Sequence, residues 1–417
     1  MRIVTDLGEI DAAEWDALAF PAPTANPFLR HAFLHALTAT GCATADTGWT
    51  PCFITLWDDA AAGKERLAAA LPLYAKDHSY GEYVFDWAWA DAYQRNGLPY
   101  YPKLLSAIPF TPVAGPRLLA RDDAARAALV EELLAQAKGS KVSSLHVLFP
   151  EESEAAQLVA AGMMLRQGVQ FHWVNQGWTS FDAFIDSLER KKRKNIRAER
   201  RKVAEAGVTL RRVRGAEATD ADWQFFTRCY NRTYRAHHSS PYLNLEFFRR
   251  IGKAMPENLL LVIAERDGAP IASSLVVHTP AALYGRYWGA VAHVPCLHFE
   301  CAYYQPLEFC IEEGIGVFEG GAQGEHKMAR GFLPTRTVSA HWLAHPAFAD
   351  AVERFLQRET AGVDGYLDEL NDRHPYRTRK EAAEDADATA AEAAEAAEAT
   401  EASEASNAGG TASDPAG

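Results

Sequence analysis

The sequence predicts an α/β chain of the α+β kind, built as two successive lobes with mixed sheets and followed by an acidic tail. Three observations carry this. Apolar residues switch repeatedly between helical and strand periodicity along the chain. The succession restarts after Gly177 and Trp178, and from residue 381 onward the composition turns to Ala and Glu without a single Lys or Arg. The lobes are expected at residues 1–177 and 178–378, with the tail at 379–417.

In the first lobe, Phe28, Phe33, Leu34 and Leu37 recur at helical spacing between Pro27 and Ala39. Runs at 52–57 and 67–75 read as strands. Helical segments near 122–137 and 152–162 flank a strand at 142–149, and another strand covers 169–175. In the second lobe, Phe181, Phe184, Ile185 and Leu188 open a helix whose apolar face continues through Ile196 and Val203 until Gly207 ends it. VTLRRVR (208–214) alternates as a strand, and a helix follows over about 219–236. Three strands are expected at 258–265, 270–278 and 282–291, the first two joined by Asp267-Gly268, a strong hairpin signal. A helix over 299–313, a strand at 315–319, a glycine-rich loop, a strand at 336–343 and a helix from 346 to 359 complete the lobe. The Ala-Glu repeats beyond it have no apolar stripe with which to dock, so disorder is expected there.

Charge and cysteine usage narrow the class. The chain has 417 residues and a net charge of −13, but ten carboxylates lie in 381–417, leaving 42 cations against 45 carboxylates, or −3, in residues 1–380. Local clusters therefore matter more than the total. The N-terminus has no basic start leading into an apolar run, and no apolar run approaches the roughly 20 residues that span a bilayer. Six cysteines without a CxxC pair fit a reduced compartment, and a cytoplasmic protein is expected. No GxGxxG, GxxxxGK, HExxH or GxSxG is present, which removes support for dinucleotide, P-loop, zincin and hydrolase chemistry.

The segment FEGGAQGEHKMARGFLP (318–334) stands out. It breaks from a strand into Gly320, Gly321 and Gly324, then places Gln323, Glu325, His326, Lys327 and Arg330 together before Pro334. Glycines let backbone amides approach a ligand, and loops after strands commonly carry the chemistry of α/β folds. A second cluster is the basic helix expected at 187–203, with nine cations in the thirteen residues 190–202. His293, Cys296, His298 and Cys301 have spacings usable for zinc, but Cys301 falls inside an expected helix without a second ligand pair, so no metal is expected.

The order of elements in the second lobe resembles the GNAT acyltransferase fold, and its occurrence twice resembles the FemAB-like group, in which two GNAT-like lobes share one chain. SLERKKRKNIRAERRKV (187–203), GAPIASSLVVHTPAALYGRYWGAV from Gly268, LHFECAYYQPLEFCIEEG (297–314) and the glycine loop carry the resemblance in the second lobe. YAKDHSYGEYVFDWAWADAY (74–93) carries it in the first, and together it covers roughly residues 5–375. One segment departs from ordinary acetyl-CoA-dependent members, which show Q/R-x-x-G-x-G/A before the helix. Here the junction reads AHVPCLHFE (292–300), with no glycine and with Pro295 removing an amide. Fem-type members also lack that cradle and use aminoacyl-tRNA.

The resemblance implies an N-acyltransferase that moves an acyl or aminoacyl group from an activated ester or thioester to an amine, with cell-wall (peptidoglycan) precursor metabolism as its setting. No tightly bound cofactor is expected; the donor, aminoacyl-tRNA or acyl-CoA, is a co-substrate. The acceptor is an amine on a nucleotide- or lipid-linked precursor, tRNA is a candidate partner, and no DNA is expected. His326, Glu325 and Glu300 are the candidate proton acceptors, His326 first because an imidazole titrates near working pH. Lys327 and Arg330 suit an anionic group. Tyr287, on a central strand, and the backbone around Gln323, Gly320, Gly321 and Gly324 are candidates for substrate contact. Arg193 and Arg197, at i and i+4, share a helix face fit for polyphosphate or RNA. The competing readings are an acyl-CoA-dependent enzyme with an atypical CoA site and a non-catalytic ligand-recognition protein.

Overall fold

A computed structural model describes residues 1–59, 65–321 and 324–377; the acidic tail expected at 379–417 lies outside the described residues. The strands are β1 (Arg2–Val4), β2 (Trp49–Pro51), β3 (Phe53–Asp59), β4 (Glu65–Leu71), β5 (Tyr74–Lys76), β6 (Lys103–Ser106), β7 (Leu119–Ala120) and β8 (Ser144–Leu148). They continue as β9 (Met164–Val174), β10 (Val208–Arg214), β11 (Leu259–Arg266), β12 (Ala269–His278), β13 (Ala282–Ala290), β14 (Val317–Glu319) and β15 (Leu333–Leu343). Four of them form a small sheet, β1-β3-β4-β7. The other eleven form one mixed sheet in the order β10-β11-β12-β13-β14-β9-β15-β8-β6-β5-β2.

That order interleaves the two halves of the chain. β9 runs between β14 and β15, and β15 runs between β9 and β8, so hydrogen bonding crosses the 177/178 division expected from the sequence. The core is shared as well. Phe28 meets Tyr284 edge-on at 5.2 Å and Phe33 meets Phe247 at 5.5 Å between ring centroids. Helix Asp220–Ala236 lays Trp223, Phe226 and Tyr230 into the same cluster. Its close seat on β13 requires Gly289, where a Cβ would lie 2.1 Å from the Cys229 carbonyl oxygen.

The hairpin at Asp267-Gly268 has both residues at positive φ, 52° and 73°, as a two-residue turn of the primed kind demands. The continuous helix expected from Phe181 to Val203 is broken into Phe181–Asp186 and Arg190–Glu205. Between them the backbone turns to pair with the end of the chain: Leu188 bridges Tyr376, Glu189 donates to the Pro375 carbonyl, and Arg377 donates to that of Ser187. A tertiary pairing here outweighs a local period. The last helix runs further than expected, over Pro346–Asp372. Among the described residues no helix is long and apolar enough to cross a membrane.

Where β8 meets β15, two fully buried imidazoles face each other. His146 and His341 are register partners with their Nδ1 atoms 2.7 Å apart, and Ser144 and Ser339 contact the Nε2 atoms at 2.8 Å each. One Nδ1 must be bare for this bond to form, so both rings cannot be cationic at once without breaking it. Burial, with Lys103 adding to it, pushes His146 down to about 3, and His341 is pushed well below its ordinary value. Depressed folded-state values mean that stability is full above the unfolded imidazole value of about 6.5 and declines as pH falls below it. Urea unfolding at pH 7.5 and pH 5 should show a loss of about 2 kcal/mol from His146 over that window, to which His341 adds. His341→Gln should shrink the difference, and an equal loss in the variant would show that the pair is not its source.

Candidate active site

The site is created by a short strand. β13 and β14 run parallel and are joined by only three residue pairs, Ala282–Val317, Leu283–Phe318 and Tyr284–Glu319. Beyond them a β-bulge intervenes in β13, since Leu275 faces Tyr287 while Val276 faces Gly285. β14 simply ends, passing into Gly320 and Gly321. The two backbones diverge, and the gap opens as a cleft of about 100 Å³ lined by Ser274, Gly285, Arg286, Trp288, His298 and Tyr303, with Gly320 at its edge. A Cβ on Gly320 would stand 3.1 Å from both Lys327 Cδ and a Phe332 ring carbon, so glycine is what lets the Lys327 stem pass.

The helix behind the cleft is irregular. Cys296 starts it at φ +66°, and Leu297–Phe299 leads into a π-helical turn over Glu300–Tyr304 before the regular helix Gln305–Glu313. Such turns rotate side chains off the α-helical phase. Here Tyr303 faces the cleft, and Tyr304 turns towards Arg330 and Glu199.

The structure places the candidates from the sequence very differently. Lys327 is buried and donates to the Gly321 carbonyl at 2.8 Å; burial lowers its ammonium pKa to about 8. His326 is exposed at the surface end of the same turn, with Nε2 3.1 Å from the Tyr303 hydroxyl. Burial, then Lys327 and Arg330, lower its pKa, so the ring is neutral at neutral pH. Arg330 is buried and wholly engaged. It bonds Glu199 at 2.8 Å, the Tyr304 hydroxyl at 3.1 Å and the His326 carbonyl at 2.8 Å, and its guanidinium lies 3.5 Å from the Phe299 ring centroid. Glu300 is buried and held by Arg200 Nε and Nη2 at 3.1 Å each and by Gln305 at 2.9 Å. Glu325 is exposed and receives the Tyr366 hydroxyl at 2.7 Å. These contacts direct Glu300 and Arg330 towards holding the turn in place and leave Lys327, with His326 and Tyr303, beside the cleft.

Tyr287 also lines the cleft, while its ring packs against Tyr230 and Phe248, with the Arg286 guanidinium 5.1 Å from the ring centroid. Gly321 and Gly324 have φ of +86° and +120° and turn the loop. Gln323 lies outside the described residues. On the basic helix, Arg193 donates to the Asp186 and Leu188 carbonyls and Arg197 pairs with Asp186 at 2.7 Å, whereas Glu199 and Arg200 turn inward to Arg330 and Glu300. Among the described residues no group of three His, Cys, Asp or Glu side chains is placed to hold a metal ion.

Three residues near the opening are not among the candidates from the sequence, although Glu319 lies within the segment 318–334 and Arg286 within 268–291. Arg286 donates to the Phe110 carbonyl at 2.6 Å. Glu319 closes β14, with its Oε2 3.9 Å from His172 Nε2. His172 is in turn 3.2 Å from Gln170, which lines a larger cavity of about 260 Å³ between the halves. The only hint of them in the sequence is a charged or imidazole side chain within an otherwise apolar strand.

Two lobes on one interleaved sheet, each with a short parallel strand pair (β6 with β8 in the first, β13 with β14 in the second), define the double GNAT type of fold. The chain belongs to the FemAB-like family, described as peptidoglycan biosynthesis/recognition, whose model matches residues 6–378. Among solved structures it is similar to FemX, at 13% identity, a TM-score of 0.51 and coverage of 84% of this chain and 99% of that one. It also matches the C-terminal domain of a lysylphosphatidylglycerol synthetase from Agrobacterium fabrum (12% identity, TM-score 0.45, covering 78% and 95%). A tandem GNAT protein of the clavulanic acid pathway matches at 15% identity and TM-score 0.42, covering 83% and 98%. No curated protein matches the chain.

Because Arg330 is buried and multiply bonded whereas Arg197 and Asp186 are half exposed, their removal should differ sharply. Arg330→Met strands Glu199 and should cost about 3–5 kcal/mol in urea unfolding, against under about 1 kcal/mol for Arg197→Met. Equal small losses would show that Arg330 does not brace the turn.

Proposed function

We propose that this FemAB-like chain transfers an acyl or aminoacyl group from an activated ester or thioester to an amine, with cell-wall precursors as the setting. One observation supports it most: the sheet splits between β13 and β14 beside a glycine loop that brings a buried lysine ammonium to the opening. A carbonyl lodged in the split meets two kinds of donor. On the side facing β14 the backbone of Gly285–Tyr287 has no register partner, and Lys327 has two N–H bonds left after serving Gly321. Donors fixed beforehand in a site of restricted solvent stabilise a tetrahedral oxyanion strongly. The neutral His326, linked to Tyr303, is suited to exchange a proton with the leaving group or solvent.

Direct attack by the amine fits better than a covalent intermediate. Cys301 is buried with its thiol pushed well above the ordinary value, and Ser274, the cleft's hydroxyl, is committed to the Cys301 carbonyl at 2.7 Å. Neither is an activated nucleophile. The donor would enter from the side of His298 and Tyr303. Its class, acyl-CoA or aminoacyl-tRNA, is decided outside the glycine cradle that ordinary GNAT chains use.

The test is transfer to a nucleotide-linked muropeptide from acetyl-CoA and from alanyl-tRNA. Lys327→Met should lower turnover by about 100-fold or more, with the fold retained. Full turnover in that variant would remove Lys327 from the mechanism. Tight muropeptide binding with no transfer by the wild type would make the chain a recognition protein instead.

A further inference from the structure

We propose that Glu319 is the carboxylate that takes the proton from the acceptor's primary ammonium group, and that the acceptor reaches it from the sheet face opposite the donor cleft. The inference deepens the transferase reading and rests on it.

The placement comes first. Glu319 is the last residue paired with β13, so the next step along either strand enters the split. Its register partners, Tyr284 on β13 and His172 on β9, put its side chain on the face that packs against Phe28 and helix Asp220–Ala236. Phe318 points the other way, into the cluster beneath the donor cleft. One carboxyl group thus stands at the base of the opening, on the side that the donor does not use.

Its bonding differs from that of the other buried carboxylates, each of which has at least one oxygen bonded, although Glu82 Oε1 and Asp86 Oδ1 are without a partner too. Glu154 accepts two backbone amides, Glu82 and Asp86 both bind Lys103, and Glu300 is held by Arg200. Glu319 Oε2 is buried with no hydrogen-bond partner among the described residues. A buried carboxylate left so is costly, and evolution has easy apolar replacements unless the group is needed. Its side chain is still 13% exposed, enough for a small head group to reach it.

The charged and titratable neighbours agree. From β9 come His172 and, behind it, the amide of Gln170; from β13, Tyr284 and Arg286; from the segment before β7, Arg117. Arg117 spends its guanidinium on the carbonyls of Val113, Gly115, Pro116 and Leu148, and Arg286 spends its own on Phe110. Burial, with the Lys327 ammonium adding to it, holds His172 down to about 4, so it is neutral. Burial also pushes Glu319 up to about 8 against the pull of the two arginines. A carboxylate of that basicity is far better matched to an ammonium of about 10.4 than one at 4.3.

The step balances. R–NH3⁺ gives a proton to the Glu319 carboxylate, and the freed nitrogen lone pair attacks the donor carbonyl carbon. The C–O or C–S bond to the leaving group then breaks, the nitrogen loses its second proton to that group, and Glu319 returns its own proton to solvent.

With a lysine-bearing muropeptide and either donor, Glu319→Gln should lower kcat/KM for the amine by about 100-fold or more. It should leave the donor KM within about twofold and abolish the rise in rate with pH centred near 8. Glu319→Asp, which keeps a carboxylate, should retain that rise and an intermediate rate, separating loss of the base from loss of the fold. A wild-type rate and pH profile in Glu319→Gln overturns the inference while leaving the transferase reading intact. Should the wild type transfer nothing, that reading fails by itself, and the infrared band of the protonated carboxyl, taken as wild type minus Glu319→Gln, decides about Glu319. n-Hexylamine should shift its titration to lower pH by pairing with the carboxylate, and an unmoved titration overturns the amine site.

Discussion

The cleft exists because β14 is three residues long and held on both sides. β9 pairs with it over the same three residues that β13 does, so Val317, Phe318 and Glu319 are pinned between two neighbours before the chain is released at Gly320. Lengthening β14 would zip the split and remove the opening. Losing β9 would leave a three-residue edge strand, too short to hold a parallel pairing against the entropy of fixing it. The opening is thus supported by a strand from the other half of the chain, and the interleaving of β9 and β15 is a condition for the site as well as for the sheet.

How much of this was legible depended on whether the signal was local. The hairpin at Asp267-Gly268 is written in two residues, and the meander β11–β13 follows from runs long enough to show their period. The exchange of β9 and β15 is invisible in a single sequence, since pairing partners are set by topology and leave no mark on either strand. The break at Ser187-Leu188-Glu189 was hidden for the same reason. Its apolar residues keep helical phase, and only the bonds to Pro375 and Arg377 favour a turn. At the site, the glycine loop advertised itself by composition. Glu319, Arg286 and His172 did not, because one polar residue in a strand carries no spacing to read.

Charge clusters in the sequence mixed two populations that only packing separates. On the basic helix, Arg200 turns inward to Glu300 and Glu308, and Glu199 receives Arg330 and Tyr304. Arg190, Lys191, Lys194, Arg201 and Lys202 face solvent. The inward set ties the helix to the π-helical turn and the glycine loop at once, so the helix positions the segment proposed to be catalytic. The outward set is what a polyanionic donor could meet. Removing an inward residue leaves a buried charge stranded, whereas an outward one is screened by salt.

This separation of inner and outer charge also explains why Lys327 and Glu319 can share one opening without neutralising each other. They leave the split on different faces, Lys327 through the gap made by Gly320 on the side of Tyr303, and Glu319 towards His172 and Tyr284. Both are buried, and burial drives their affinities for the proton towards each other, to about 8 in each case. A direct ion pair would reverse both shifts, raising the lysine and lowering the carboxyl. Keeping them apart preserves an acid ready to support negative charge on one face and a base ready to receive a proton on the other. The reacting carbonyl and amine would meet in the gap between them, where the missing strand pairing leaves room.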